Sequence, residues 1–216
     1  MTDSWPHLVT ELIEQVERSG EPVLAVGHSL GGYLSALAAL KRPALFRAIV
    51  LLDTPILSPW RGTVFGVVKR FRFADRLTPA GLTRDRRAVW GSEEEAYAHF
   101  RSKRVFRDFD PDCLRDYVTL GTRPCPEGVC LVFDPAIEYR IYRAFPHALA
   151  RELPRLRVPA GVICGRESAE SRRMGLATTR RHFRVARVSG SHLFPFEHPE
   201  DAARAILEMA ERLTAT

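Results

Sequence analysis

The stretch Val23-Leu24-Ala25-Val26-Gly27-His28-Ser29-Leu30-Gly31-Gly32 decides the architecture of this chain. Its first four residues are a short apolar run, which reads as a buried strand. Its last residues open a helix of small side chains, from about Gly32 to Lys41, bounded by Pro43. Between them stands Gly27-x-Ser29-x-Gly31. That spacing arises by chance on the order of once in ten chains of this size, so alone it means little. Set between a strand and a helix it becomes specific. A serine on so sharp a turn has a strained backbone and needs neighbours without bulk two positions to either side. Gly27 and Gly31 are the expected suppliers. The helix N-terminus is expected to aim the Leu30 N–H and a positive dipole at an oxyanion forming beside the serine hydroxyl.

Working outward, Trp5, Leu8, Val9, Leu12, Ile13 and Val16 follow helical spacing, with Ser4 as a cap, Pro6 in the first turn and Ser19-Gly20 at the end. Ala48 to Leu52 is a second buried strand, ending at Asp53-Thr54-Pro55. Val158 to Cys164 is a third. Phe183 to Val188 alternates with arginines, as a sheet edge does. A final helix begins near Pro199 and carries Ala202, Ala205, Ile206, Met209 and Leu213 on one stripe. Strands alternating with helices predict an α/β fold, a parallel sheet covered on both faces. Between Pro55 and about Leu153 the rhythm changes to helical segments broken by prolines, with no convincing strand run. That stretch reads as a helical insertion over the sheet.

A serine hydroxyl is inert without a base. His192 follows the last strand in Ser189-Gly190-Ser191-His192-Leu193-Phe194-Pro195. Loops at the C-terminal ends of parallel strands are where such sheets carry reactive groups. His198 reads as helix-start structure, and His28, inside the motif, as a packing residue.

Composition narrows the function classes. The 216 residues carry a net charge of +6, but the arginines are dispersed among acidic residues, which argues against a nucleic-acid surface. The denser stretch Arg61 to Arg87 reads as a solvated face rather than a site for acidic substrates. No segment approaches the roughly 20 apolar residues of a membrane span, and the N-terminus lacks a signal-peptide pattern. The expected location is the cytoplasm, with Cys113, Cys125, Cys130 and Cys164 as structural or incidental thiols. No metal or organic cofactor is expected.

Gly-His-Ser-Leu-Gly-Gly, the strand ending at Asp53, the helical insertion and Ser-His-Leu-Phe-Pro-Phe-Glu-His-Pro-Glu together resemble the α/β-hydrolase superfamily, in its serine-nucleophile, lid-bearing branch. The resemblance covers essentially the whole chain. It implies a hydrolase core over residues 1–53, a helical lid over 54–153 and the rest of the core over 154–216. It also implies cleavage of a small carboxylic ester or related acyl substrate by Ser29, His192 and an acid, with Leu30 N–H in the oxyanion site. The acid is open between two residues. The family often places aspartate where Gly165-Arg166-Glu167-Ser168 has serine, leaving Glu167 one position early. Asp53 occupies the family's other acid position. About four strands that the family places before Trp5 have no counterpart here, and one of them carries the loop with a second oxyanion N–H. Two expectations follow: either Met1 is internal to a longer protein, or the chain is a remnant that keeps the pocket without turnover. The apolar strand Val23–Val26 would then be an open edge. Trp60, Phe65, Phe71, Phe73, Trp90, Tyr97 and Phe100 are the candidate pocket lining. Oligomeric state is not legible.

Overall fold

A strand buried on both faces needs apolar residues in unbroken succession, and the computed structural model, which describes residues 5–70, 86–173 and 181–215, puts the apolar runs to that use. Strands β1 (Val23–His28), β2 (Phe46–Leu52), β6 (Ala160–Gly165) and β7 (Arg184–Val188) pair in parallel in the order β1-β2-β6-β7. All six residues of β6 are buried, whereas β7, at the end of the order, is mostly half-buried.

Alternation along β2 feeds two cores. Ile49 and Leu51 pack with Trp5, Val9 and Ile13 of the segment holding α1 (Pro6–Glu17), and with Tyr33, Ala36 and Ala39 of α2 (Leu30–Lys41). Ala48, Val50 and Leu52 pack on the opposite face against Ala202, Met209 and Leu213 of the C-terminal helix Pro199–Thr214. The helix α1 begins at Trp5 and Pro6; its proposed cap, Ser4, lies outside the described residues. Trp5 Nε1–H donates to the Ile141 carbonyl at 2.7 Å, tying the first helix to the insertion. No described helix is long and apolar enough to cross a membrane.

The segment between β2 and β6 is largely helical, with α3 (Pro59–Arg70), α4 (Glu93–Arg101), α5 (Pro111–Gly121), α6 (Pro135–Arg143) and α7 (Leu149–Glu152). The expectation that it holds no strand fails. β3 (Val89–Trp90), β4 (Thr122–Cys125) and β5 (Gly128–Leu131) form a small antiparallel sheet in the order β3-β5-β4. Pro124 and Pro126 hid it. A proline cannot donate to a ladder, but β4 is an edge strand, where a missing N–H costs little. Pro126-Glu127 makes the two-residue turn, and Gly128 takes φ 125°, a conformation strained for any residue with a Cβ.

The insertion has its own core of Trp90, Phe100, Phe109, Leu114, Val118 and Leu131. Trp90 and Phe100 are therefore packing residues, while Trp60 is 65% exposed. Phe71 and Phe73 lie outside the described residues, as does the Phe65 side chain.

Candidate active site

The serine sits where β1 gives way to α2. Ser29 has φ 51° and ψ −110°, and its N–H donates to the Leu52 carbonyl at 2.8 Å. A positive φ is costly for a residue with a Cβ, and here the surrounding backbone enforces it. The glycines that allow the turn are not quite the pair expected. A Cβ on Gly27 would strike the Gly31 and Gly32 backbone, and one on Gly32 would strike Thr54 and the Gly27 carbonyl. Gly31 faces open space. Steric need therefore falls on Gly27 and Gly32, because the turn folds the helix start back onto the strand end. Leu30, as the first residue of α2, has an N–H without an acceptor inside the helix.

His192 lies 163 residues away in sequence and 3.1 Å away in space, Nε2 to Ser29 Oγ. Its Nδ1 is 2.7 Å from Asp53 Oδ2. An ionised carboxylate only accepts, so Nδ1 carries the proton and Nε2 is left to accept from the serine hydroxyl. Of the two candidate acids, the structure brings Asp53 to the imidazole. Glu167 instead accepts from the Gly190 N–H at 2.6 Å. The reason lies in the topology: Asp53 ends the central strand β2 beside β1, whereas Glu167 turns toward the backbone of the loop that carries His192.

Asp53 is fully buried, with φ 45°. Such a carboxylate needs donors around it. Gly165 N–H donates to Oδ1 at 3.2 Å, and the Ser168 hydroxyl donates to Oδ2 at 2.5 Å. Asp53, Glu170 and His192 bring potential ligand atoms within 4.8 Å of one another. Within that cluster His192 Nδ1 and Asp53 Oδ2 hydrogen-bond each other.

The histidine loop is braced from several sides. Ser191 N–H donates to Glu197 at 2.6 Å, and the Ser191 hydroxyl also bonds that carboxylate. Gly190 adopts φ 107°. Gly165 must be glycine because a Cβ there would strike the Ser191 and Gly190 carbonyls. His28, read from sequence as packing only, bonds the loop directly. Its Nε2–H donates to the His192 carbonyl at 2.8 Å, and the two rings lie 4.9 Å apart. Burial, chiefly, holds the His28 imidazole below its ordinary pKa; the bond to the carbonyl opposes this, His192 adds to it, and Asp53 opposes it weakly. Phe196 joins the loop to the insertion by stacking on Phe109 at 5.0 Å, while Asp110 N–H donates to the Phe196 carbonyl at 2.8 Å. Position within a histidine loop was the one sequence signal that pointed to Phe196.

The four cysteines are free thiols, and burial pushes Cys164 up to about 12, which keeps it protonated.

The fold thus sets a serine on a strand–helix turn, facing a histidine from the loop after the last strand. A family model described as the alpha/beta hydrolase family matches residues 2–205, and the chain belongs to that family. A solved structure of E-2-(acetamidomethylene)succinate hydrolase is 19% identical, with a TM-score of 0.77 over 98% of this chain and 75% of that one. An esterase of M. tuberculosis is 21% identical, with a TM-score of 0.68 over 99% of this chain and 70% of that one. The thioesterase domain of the curacin biosynthetic pathway is 17% identical, with a TM-score of 0.65 over 92% and 73%. At these identities the likeness is one of fold. A search of curated protein sequences returned no match.

Proposed function

We propose that this alpha/beta hydrolase is a serine hydrolase that cleaves a small carboxylic ester or related acyl substrate. The observation that carries the reading is the continuous relay from Ser29 Oγ through His192 to Asp53, at 3.1 and 2.7 Å. Ser29 Oγ attacks the carbonyl carbon while its proton passes to His192 Nε2. Asp53 holds the Nδ1–H tautomer and stabilises the imidazolium. The Leu30 N–H, at the positive end of α2, receives the developing oxyanion. His192 then protonates the leaving group, and water reverses the sequence to release the acid. Residues 54–153 act as a lid that shapes the acyl pocket between residues 1–53 and 154–216 of the core. The protein works on a small molecule in the cytoplasm, without nucleic acid, membrane or cofactor.

Neighbours whose names include an esterase, a thioesterase and a hydrolase of an acetamido compound support acyl chemistry as the class. A fluorophosphonate probe tests the reading. It is expected to label the chain covalently and to lose all labelling in Ser29→Ala; labelling that persists in that variant sinks the proposal.

The alternative is a non-catalytic binding protein that keeps the pocket. Turnover of activated aryl esters by the 216-residue chain decides for the enzyme.

A further inference from the structure

We infer that Ser168 is a positioning residue for the reaction proposed above, donating its hydroxyl proton to Asp53 and thereby fixing the carboxylate that orients His192. The inference rests on the hydrolase reading. Ser168 and Ser171 are both fully buried in the turn after β6 and the short helix Ala169–Arg173 that follows it. A hydroxyl has one proton to give. Ser168 Oγ accepts from the Ser171 N–H at 3.0 Å, so its own proton must point elsewhere. Two carboxylate oxygens lie within reach, Asp53 Oδ2 at 2.5 Å and Glu170 Oε2 at 3.4 Å. The shorter contact takes the proton.

Asp53 Oδ2 is thus held by two donors, Ser168 Oγ–H and His192 Nδ1–H, while Gly165 N–H holds Oδ1. A carboxylate with donors on both oxygens cannot rotate about its Cβ–Cγ bond without breaking one of them. Gly165 N–H holds the other oxygen, so among the described residues Ser168 is the donor that, beside His192 itself, holds the oxygen facing the imidazole. Ser168 belongs to the turn after β6 and Asp53 to the end of β2, so their bond also fixes the two strand ends relative to each other at the site.

The test is a set of single substitutions followed by proton NMR of the His192 Nδ1–H and by ester kinetics. In wild type the Nδ1–H resonance is expected as a downfield line, from its short bond to Asp53. In Ser168→Ala it is expected to move upfield or broaden through exchange, because Asp53 no longer holds still. The same variant is expected to lose about 10- to 100-fold in kcat, the range of one hydrogen bond to a charged group, with KM within about twofold. Ser171→Ala is the control: it makes the same chemical change at equal burial, and among the described residues the Ser171 hydroxyl bonds the Gly165 and Ser168 carbonyls, at 3.4 Å. It is expected to keep the wild-type resonance and kcat. If Ser168→Ala fails to fold, Ser168→Cys, which keeps the volume and a weak donor, is expected to give an intermediate resonance. In an Asp53→Asn background, Ser168→Ala is expected to add little.

An unchanged Nδ1–H line in Ser168→Ala or Ser168→Cys, an equal change in Ser171→Ala, or a full additive loss on Asp53→Asn overturns the inference. The NMR readout needs no turnover, so it judges Ser168 separately from the hydrolase reading, which stands or falls on labelling at Ser29.

Discussion

Asp53 contacts the His192 imidazole, whereas Glu167, the other candidate acid, bonds the Gly190 N–H. On the proposed mechanism, replacing Asp53 by Asn takes away the charge that would stabilise the imidazolium and presents the wrong partner to Nδ1. The expected loss in kcat is on the order of 10⁴-fold. Glu167→Gln is expected to stay within about tenfold, since Glu167 bonds the Gly190 N–H in the loop that carries His192. Steady-state kinetics on an activated ester compares the two, and equal losses would remove Asp53 from its role. His28 gives a second prediction at this scale. Burial lowers its pKa in the fold, so below the unfolded value of about 6.5 the unfolded chain binds a proton that the native state resists. Above that pH both states leave His28 neutral and the effect vanishes; as pH falls, protonation favours unfolding. The stability lead of wild type over His28→Gln should therefore shrink between about pH 7.5 and about pH 5 in urea denaturation. A lead that grows on acidification contradicts the assignment.

Among elements, the strand–turn–helix at Ser29 was legible because every signal in it is local: an apolar run, glycines and small helix residues within twenty positions. What local reading missed was which glycine the turn needs, since the atoms that exclude a Cβ at Gly32 belong to Thr54 in another element. The structure therefore separates two substitutions that look alike on paper. Gly27→Ala forces a methyl into backbone and is expected to cost several kcal/mol or to prevent folding. Gly31→Ala, on an open helical position, is expected to stabilise by about 0.5–1 kcal/mol. Thermal unfolding of the pair checks both. The small sheet of the insertion stayed hidden for a related reason. Two prolines read as breakers only when the strand order, and so the edge position of β4, is unknown. Asp53 was nominated by its place after β2, but the choice over Glu167 depended on how two loops turn after β6 and β7, and no periodicity encodes that. Ser168 was visible as a departure from an expected aspartate; its hydroxyl's destination was not.

For the whole molecule, the main sheet came through from sequence because its strands are apolar runs at regular intervals, while the packing of the insertion on the core did not. One side of β1 lacks a strand partner among the described residues, and Val26 on it is 43% exposed. Val26→Lys is expected to lower concentration-dependent association of the chain, read by light scattering, with little change in melting temperature. Aggregation that ignores this charge would place the sticky surface elsewhere. The other feature at this scale is the seam between insertion and core. Phe196 is four residues past His192, yet its ring stacks on Phe109 and its carbonyl binds the Asp110 amide. A hinge that lifted this part of the insertion to admit a bulky acyl group would drag on the same loop that presents the imidazole. If the insertion is the proposed lid, opening it would move the histidine loop through this contact, and slim acyl substrates are expected to be turned over faster than bulky ones.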